Sequence, residues 1–226
     1  MQNNMSLLRL AAALALTGAA LSAHAQSANS WMVGIGATKI TPRVSSGALT
    51  APSSPNTRID IEADTQPTLW VTRMVTDHWS VEVPIGPGYK HKINGAGSIA
   101  GVGQIGTVKA LPITAFAQYR FLEPTARIRP YAMLGVTYAH FHGARGSATL
   151  SAVNPLSPPG GTDLSVESKW GLTPGLGVTA MINDKWFADL QYARSFLKTT
   201  ATLSTGQTIS TKLDPDAWRV GVGMRF

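Results

Sequence analysis

The last nine residues, WRVGVGMRF, restrict the fold of this chain more than any other stretch. In an extended strand successive side chains point to opposite faces. Trp218, Val220, Val222, Met224 and Phe226 therefore share a wholly apolar face, while Arg219, Gly221, Gly223 and Arg225 share a small or basic one. Segment 164–182 continues the alternation for 19 residues, with Leu164, Val166, Trp170, Leu172, Leu176 and Val178 on its even face. Strands of soluble sheets run to about five or six residues. A strand tilted across a bilayer needs about 9–11 and can then project beyond it.

Six more segments alternate in the same way, at 31–40, 59–76, 79–90, 107–121, 129–142 and 185–203, which makes eight strands. Short turns at Asp77-His78, after Phe121 and at Asn183-Asp184 alternate with longer Gly/Pro/Ser-rich loops at 41–58, 91–106, 143–163 and 204–208. No helical segment is expected. Trp31, Trp79, Tyr119, Tyr138, Trp186 and Trp218 flank the apolar faces, as the aromatic girdles of transmembrane barrels do. A soluble sandwich would alternate too, but its outer faces would carry more charge. Only 14% of these residues are charged, against about 25% in ordinary domains, and 44% are apolar. The expected fold is all-β: an eight-stranded antiparallel transmembrane β-barrel with short periplasmic turns and long external loops.

The first residues supply an address. Arg9, the apolar run LAAALALTGAAL and an A-x-A site before Gln26 describe a secretory signal peptide over 1–25, leaving a barrel over 26–226. The alternative is an N-terminal membrane anchor, for which the core is short. Both chain ends of the exported barrel are expected in the periplasm. Removing the leader lowers the formal charge from +7 to +6. In an exported barrel without basic-aromatic clusters, that charge does not indicate nucleic acid. It suits pairing with lumen carboxylates or with the phosphates of outer-membrane lipids, including lipopolysaccharide. The chain has no cysteine, which excludes disulfides, thiolate metal sites and cysteine nucleophiles. No cofactor is implied.

The inward face combines glycines, large rings and charge. Gly34, Gly36, Gly135, Gly175, Gly177, Gly221 and Gly223 mark places where something bulky approaches closely. Trp70, Phe116, Tyr131, Met133 and Phe187, also inward, are expected to lean toward those glycines, either along an apolar path or as the filling of a solid core. Inward charges are expected at Asp64, Glu82, Arg120, Glu167, Lys169, Asp189, Arg219 and Arg225. Glu82, Arg120, Asp189, Arg219 and Arg225 form an expected plug, since unpaired charges in a dry lumen are costly. Such a plug would obstruct a continuous aqueous pore. Pro67, Pro84, Pro112 and Pro174 lack the N–H of a ladder and mark candidate weak points in the wall. In the loop at 91–106, Ile93, Ile99, Val102 and Ile105 either guide an apolar solute or pack on the barrel rim.

Several stretches resemble the OmpW family of small outer-membrane barrels over essentially the whole mature length. They are WMVGIGATKITP, DTQPTLWVTRMVTDHWSVEV, IGTVKALPITAFAQYRF, RIRPYAMLGVTYAHF, WGLTPGLGVTAMINDKWFADLQYA and the ending VGVGMRF. The resemblance implies a porin-like channel for uptake of small hydrophobic molecules, with release sideways into the bilayer. The ending Trp218, Val220, Val222, Met224, Phe226 is the kind of signal that barrel-assembly machinery recognises. A closed structural or adhesive barrel is the alternative. A lipid-modifying enzyme is a further one, and it would need a nucleophile and an acid beside His140 and His142 near the rim. With no third ligand evident, that histidine pair is not expected to hold a metal.

Overall fold

A computed structural model of the chain describes residues 28–226, so the leader expected over 1–25 lies outside the described residues. The strands are β1 (Trp31–Thr41), β2 (Ser45–Ser46), β3 (Thr57–Ile61), β4 (Asp64–Met74), β5 (Trp79–Ile85), β6 (Tyr89–Gly97) and β7 (Gln104–Arg120). They continue as β8 (Ile128–Gly146), β9 (Leu164–Val166), β10 (Lys169–Met181), β11 (Trp186–Arg194), β12 (Lys198–Leu203), β13 (Thr208–Lys212) and β14 (Asp216–Arg225). All pairings are antiparallel. Following the hydrogen bonds from β4 through β1, β14, β11, β10, β8, β7 and β5 returns to β4, which closes an eight-stranded barrel. Closure leaves the barrel wall no free edge. At the loop end β3 and β6 extend one side of the wall, and β2, β13, β12 and β9 form a second sheet on the other side.

The outer face is what a bilayer demands. Val33, Ile35, Val81, Ile113, Leu134, Leu176, Leu190 and Val220 all point away from the lumen and are exposed. Two rings of aromatics bracket this band. Trp79 and Tyr119 meet edge to face at 5.2 Å at the turn end. At the loop end Tyr138 packs on Trp170 at 4.9 Å and Tyr192 on Trp218 at 4.8 Å.

Three sequence expectations are corrected. One short helix, α1 (Ala148–Val153), does form: Ser147 accepts the Leu150 amide at its N-terminus, and Leu150 is the residue it buries. Alternation is blind to such a single turn.

The stretch 91–106 is not a free loop. β6 pairs with β3 and β7, and Ile93 and Ile105 join Val108, Leu150 and Leu203 in the core of the loop-end cap. Ile99 and Val102 pack against that core, so Ile93, Ile99, Val102 and Ile105 are all cap packing.

The strand expected at 79–90 also changes frame at Gly86-Pro87-Gly88. Below the break Ser80 and Glu82 point inward, whereas above it Tyr89, His91 and Ile93 do. Gly88 has φ 84°, a left-handed conformation that glycine adopts without strain.

Candidate functional site

The lumen divides into a sealed floor and an apolar chamber above it. The floor starts from the seam between β1 and β14, where Gly34 lies opposite Gly223 and Gly36 opposite Gly221. A Cβ on Gly34 or Gly221 would overlap the Trp70 ring, which fills the space those glycines leave. The pattern repeats around the barrel: Gly177 faces the Tyr131 ring, Gly135 the Phe116 ring, Gly175 the Met133 methyl and Gly223 the Phe187 ring. Trp70, Tyr131 and Phe187 are almost wholly buried. Each of the five large side chains therefore meets a glycine. Gly36 does not take part; its nearest neighbours are the Val220 carbonyl and Gly221 backbone of the adjoining strand.

Charge is laid on this aromatic layer. The Arg219 guanidinium sits 4.0 Å above the Trp70 ring centroid, a cation–π contact, and donates to Glu82 at 2.8 Å and Asp189 at 3.1 Å. Asp189 also accepts from Thr179 at 2.9 Å and from the Tyr131 hydroxyl at 3.1 Å. Glu82 accepts from Thr72 at 3.1 Å. Arg120 lies 4.8 Å from the Tyr131 ring and donates to Thr179, Gln118 and Ser80. Two carboxylates and two guanidiniums, each almost wholly buried, thus form a charge-balanced layer. A buried ion set of this kind is tolerable because its hydrogen bonds are largely satisfied.

The fifth expected member, Arg225, is elsewhere. It donates to the Asp184 carbonyl at the turn-end mouth, because its position on β14 is a full step below the plug. Glu167 and Lys169 pair with each other at the loop-end rim, partly exposed, and Asp64 turns to Gln66 and the Lys90 amide. None of the three enters the floor. A buried cation that alternation did not single out is Arg129, which ties the Phe121, Leu122 and Asp77 carbonyls together beneath the barrel.

Above the floor are two neighbouring cavities of about 90 Å³ and about 80 Å³ that share Ile40, Pro112, Ser195 and Ala217 on their walls. The lower one rests on Phe116, Gln191 and Arg219 and reaches the wall residues Ile85, Gly86, Gly88 and Leu111. There the wall is incomplete. Pairing of β5 with β7 stops at Glu82 opposite Phe116, and pairing of β6 with β7 begins at Tyr89 opposite Ala110. Pro84 and Pro112 lie on the two sides of this gap. Pro67 and Pro174 sit within one ladder each, opposite Ala37 and Leu134, and each lies just beyond the last pair of the ladder on its other side.

The upper cavity is lined by Ile61, Val108, Phe141, Leu197, Leu213 and His91, among others. Burial holds the His91 imidazole below its ordinary range, against the opposing pull of the Glu62 carbonyl and of Asp64. At the rim His140 and His142 stack at 5.3 Å, and Ser168 is 3.4 Å from His140. Neither histidine is bonded to a carboxylate among the described residues. No group of three or more His, Cys, Asp or Glu among those residues is arranged to hold a metal.

Comparison with known proteins fits this architecture. The chain is 29% identical over 223 residues to Outer membrane protein W of Vibrio cholerae serotype O1, covering 96% of this chain and 97% of that one. It is 23% identical over 155 residues to the Dibenzothiophene metabolism operon protein PahQ of Pseudomonas aeruginosa, covering 67% of each chain. The crystal structure of the outer membrane protein OprG from Pseudomonas aeruginosa superposes with a TM-score of 0.79 at 23% identity, covering 90% of this chain and 99% of that one. The sequence profile of the OmpW family matches residues 27–226, and the chain therefore belongs to that family of outer-membrane β-barrels.

Proposed function

We propose that this barrel takes up small hydrophobic molecules at its loop end and releases them sideways into the bilayer through the gap between β5, β6 and β7. The observation that carries this reading is the lower cavity, which rests on a sealed floor and opens toward the unpaired stretch of wall. A solute in the chamber meets charge and packed rings below it and apolar side chains to the side. The two cavities together are comparable with the roughly 150 Å³ that accommodates a benzene ring. The name of the PahQ relative, which refers to metabolism of an apolar aromatic sulfur compound, supports the same solute class. With the loops external and both chain ends periplasmic, the route would run from the outside into the membrane.

The test is uptake of a panel of apolar molecules by vesicles with and without the barrel. The native chain has no cysteine, so a bridge between Val83→Cys and Ala115→Cys would be unambiguous. Uptake that rises with the barrel and falls when the gap is bridged supports the reading. Unchanged uptake with a folded barrel would favour a closed structural or adhesive role.

A further inference from the structure

His91 is the one described residue lining the upper cavity that carries a side-chain nitrogen. His91 projects from β6 into the lumen beside Val108, while its neighbours Lys90 and Lys92 face outward. Its Nδ1 is 2.8 Å from the Glu62 carbonyl oxygen. A carbonyl oxygen only accepts, so Nδ1 carries the hydrogen. In the neutral imidazole that leaves Nε2 as a bare acceptor, and Nε2 has no partner among the described residues. The ring is held in place by stacking on Tyr89, with centroids 6.4 Å apart and planes 20° apart.

The other polar side chains of the lining, Thr137 and Ser195, are already engaged with one another's neighbours. The hydroxyls of Thr137 and Ser195 engage a chain through Thr173, at 2.6 Å and 2.9 Å, and Thr114 adds 2.8 Å to Thr137. Ile61, Phe141, Leu197 and Leu213 supply an apolar wall. A mainly apolar pocket with one oriented and unengaged ring nitrogen recognises an apolar body with one donor.

We propose that the upper chamber selects hydrophobic molecules bearing a single hydrogen-bond donor, such as phenols and alicyclic alcohols, whose O–H meets His91 Nε2. This rests on the uptake reading for how the solute arrives, but the binding preference stands apart from transport. A bare hydrocarbon displaces water from Nε2 without replacing its hydrogen bond, which disfavours it by about tenfold or more.

Phenol and toluene make the discriminating pair, because they differ by O–H against CH₃. Binding of each to the full barrel in lipid nanodiscs is measured for wild type, His91→Phe and His91→Gln. The readout is the ratio of the two affinities, together with the ¹⁵N signals of the His91 ring. The expected result is a wild-type preference for phenol over toluene that exceeds that of His91→Phe by about tenfold, with part of it restored in His91→Gln. The His91 Nε2 signal should move with phenol and stay with toluene. An equal ratio in wild type and a folded His91→Phe overturns the inference, as does a ring whose proton sits on Nε2. Phenol binding at His91 without any transport would uphold it while removing the uptake reading. Transport with no preference between the two would do the reverse.

Discussion

Trp70 shows how one side chain depends on the absence of others. Its ring occupies the room left by Gly34 and Gly221, and Arg219 rests on its outer surface. Replacing either glycine by leucine forces the ring out of place, and overpacking of this kind costs about 1–3 kcal/mol or more. The expected outcome is a lower urea midpoint for Gly34→Leu than for Gly206→Leu, where a Cβ meets nothing within 4 Å but φ is 85°. That comparison separates lumen crowding from backbone strain. Arg219→Leu removes the salt-bridge partner that Glu82 and Asp189 share. Leaving buried carboxylates unpaired costs about 3–5 kcal/mol. Adding Glu82→Gln and Asp189→Asn should recover much of that loss, as read by the same urea titration.

The individual strands show where sequence reading works and where it stops. Alternation located the eight barrel strands, because a period of two cannot serve a helix. However, it ran three of them into cap strands that pair elsewhere: 59–76 runs from β3 into β4, 164–182 holds β9 and β10, and 185–203 holds β11 and β12. It also placed Trp70, Tyr131, Phe116, Met133 and Phe187 on the side of the glycines they now touch. It did not show that Arg225 lies below the plug, because parity gives a residue's face but not its height. Nor did it find His91 as a lumen residue. The frame change at Gly86-Pro87-Gly88 reverses parity, and extending the pattern upward from Glu82 puts position 91 on the outside. The presence of Pro84 and Pro112 was visible, but their meeting across one gap depends on register between strands distant in sequence. Bridging Val83→Cys to Ala115→Cys should leave the urea midpoint near wild type, since it adds no lumen atom, while slowing solute release. Parallel titration and uptake measurements check both halves of that expectation.

Over the whole molecule, a dry floor and an open side imply two separable properties. Ions should not cross. Planar-bilayer recordings are expected to show conductance near the bare-membrane level for wild type, and also for Glu82→Gln with Arg219→Gln, because Trp70, Tyr131 and Phe187 still fill the floor. The loop-end cap should respond to pH through His91. Its folded form binds a proton less readily than the unfolded chain, so no penalty exists above about pH 6.5. As pH falls from there toward the lowered folded value, the unfolded chain takes up the proton first and cap stability declines. Hydrogen exchange of β6 amides should therefore quicken relative to β10 between about pH 7 and about pH 5, and His91→Phe should abolish the difference.

The break at Gly86-Pro87-Gly88 makes the third strand of the barrel a text read in two frames. Below it the even positions are addressed to the lumen, and above it the odd ones. Spacing across the break therefore carries information that no single side chain holds. Deleting one residue there would leave every side chain chemically intact yet send Lys90 and Lys92 inward and Tyr89, His91 and Ile93 out to solvent. Among the exposed connections of this barrel, this one should tolerate point substitutions at Pro87 far better than any change of length.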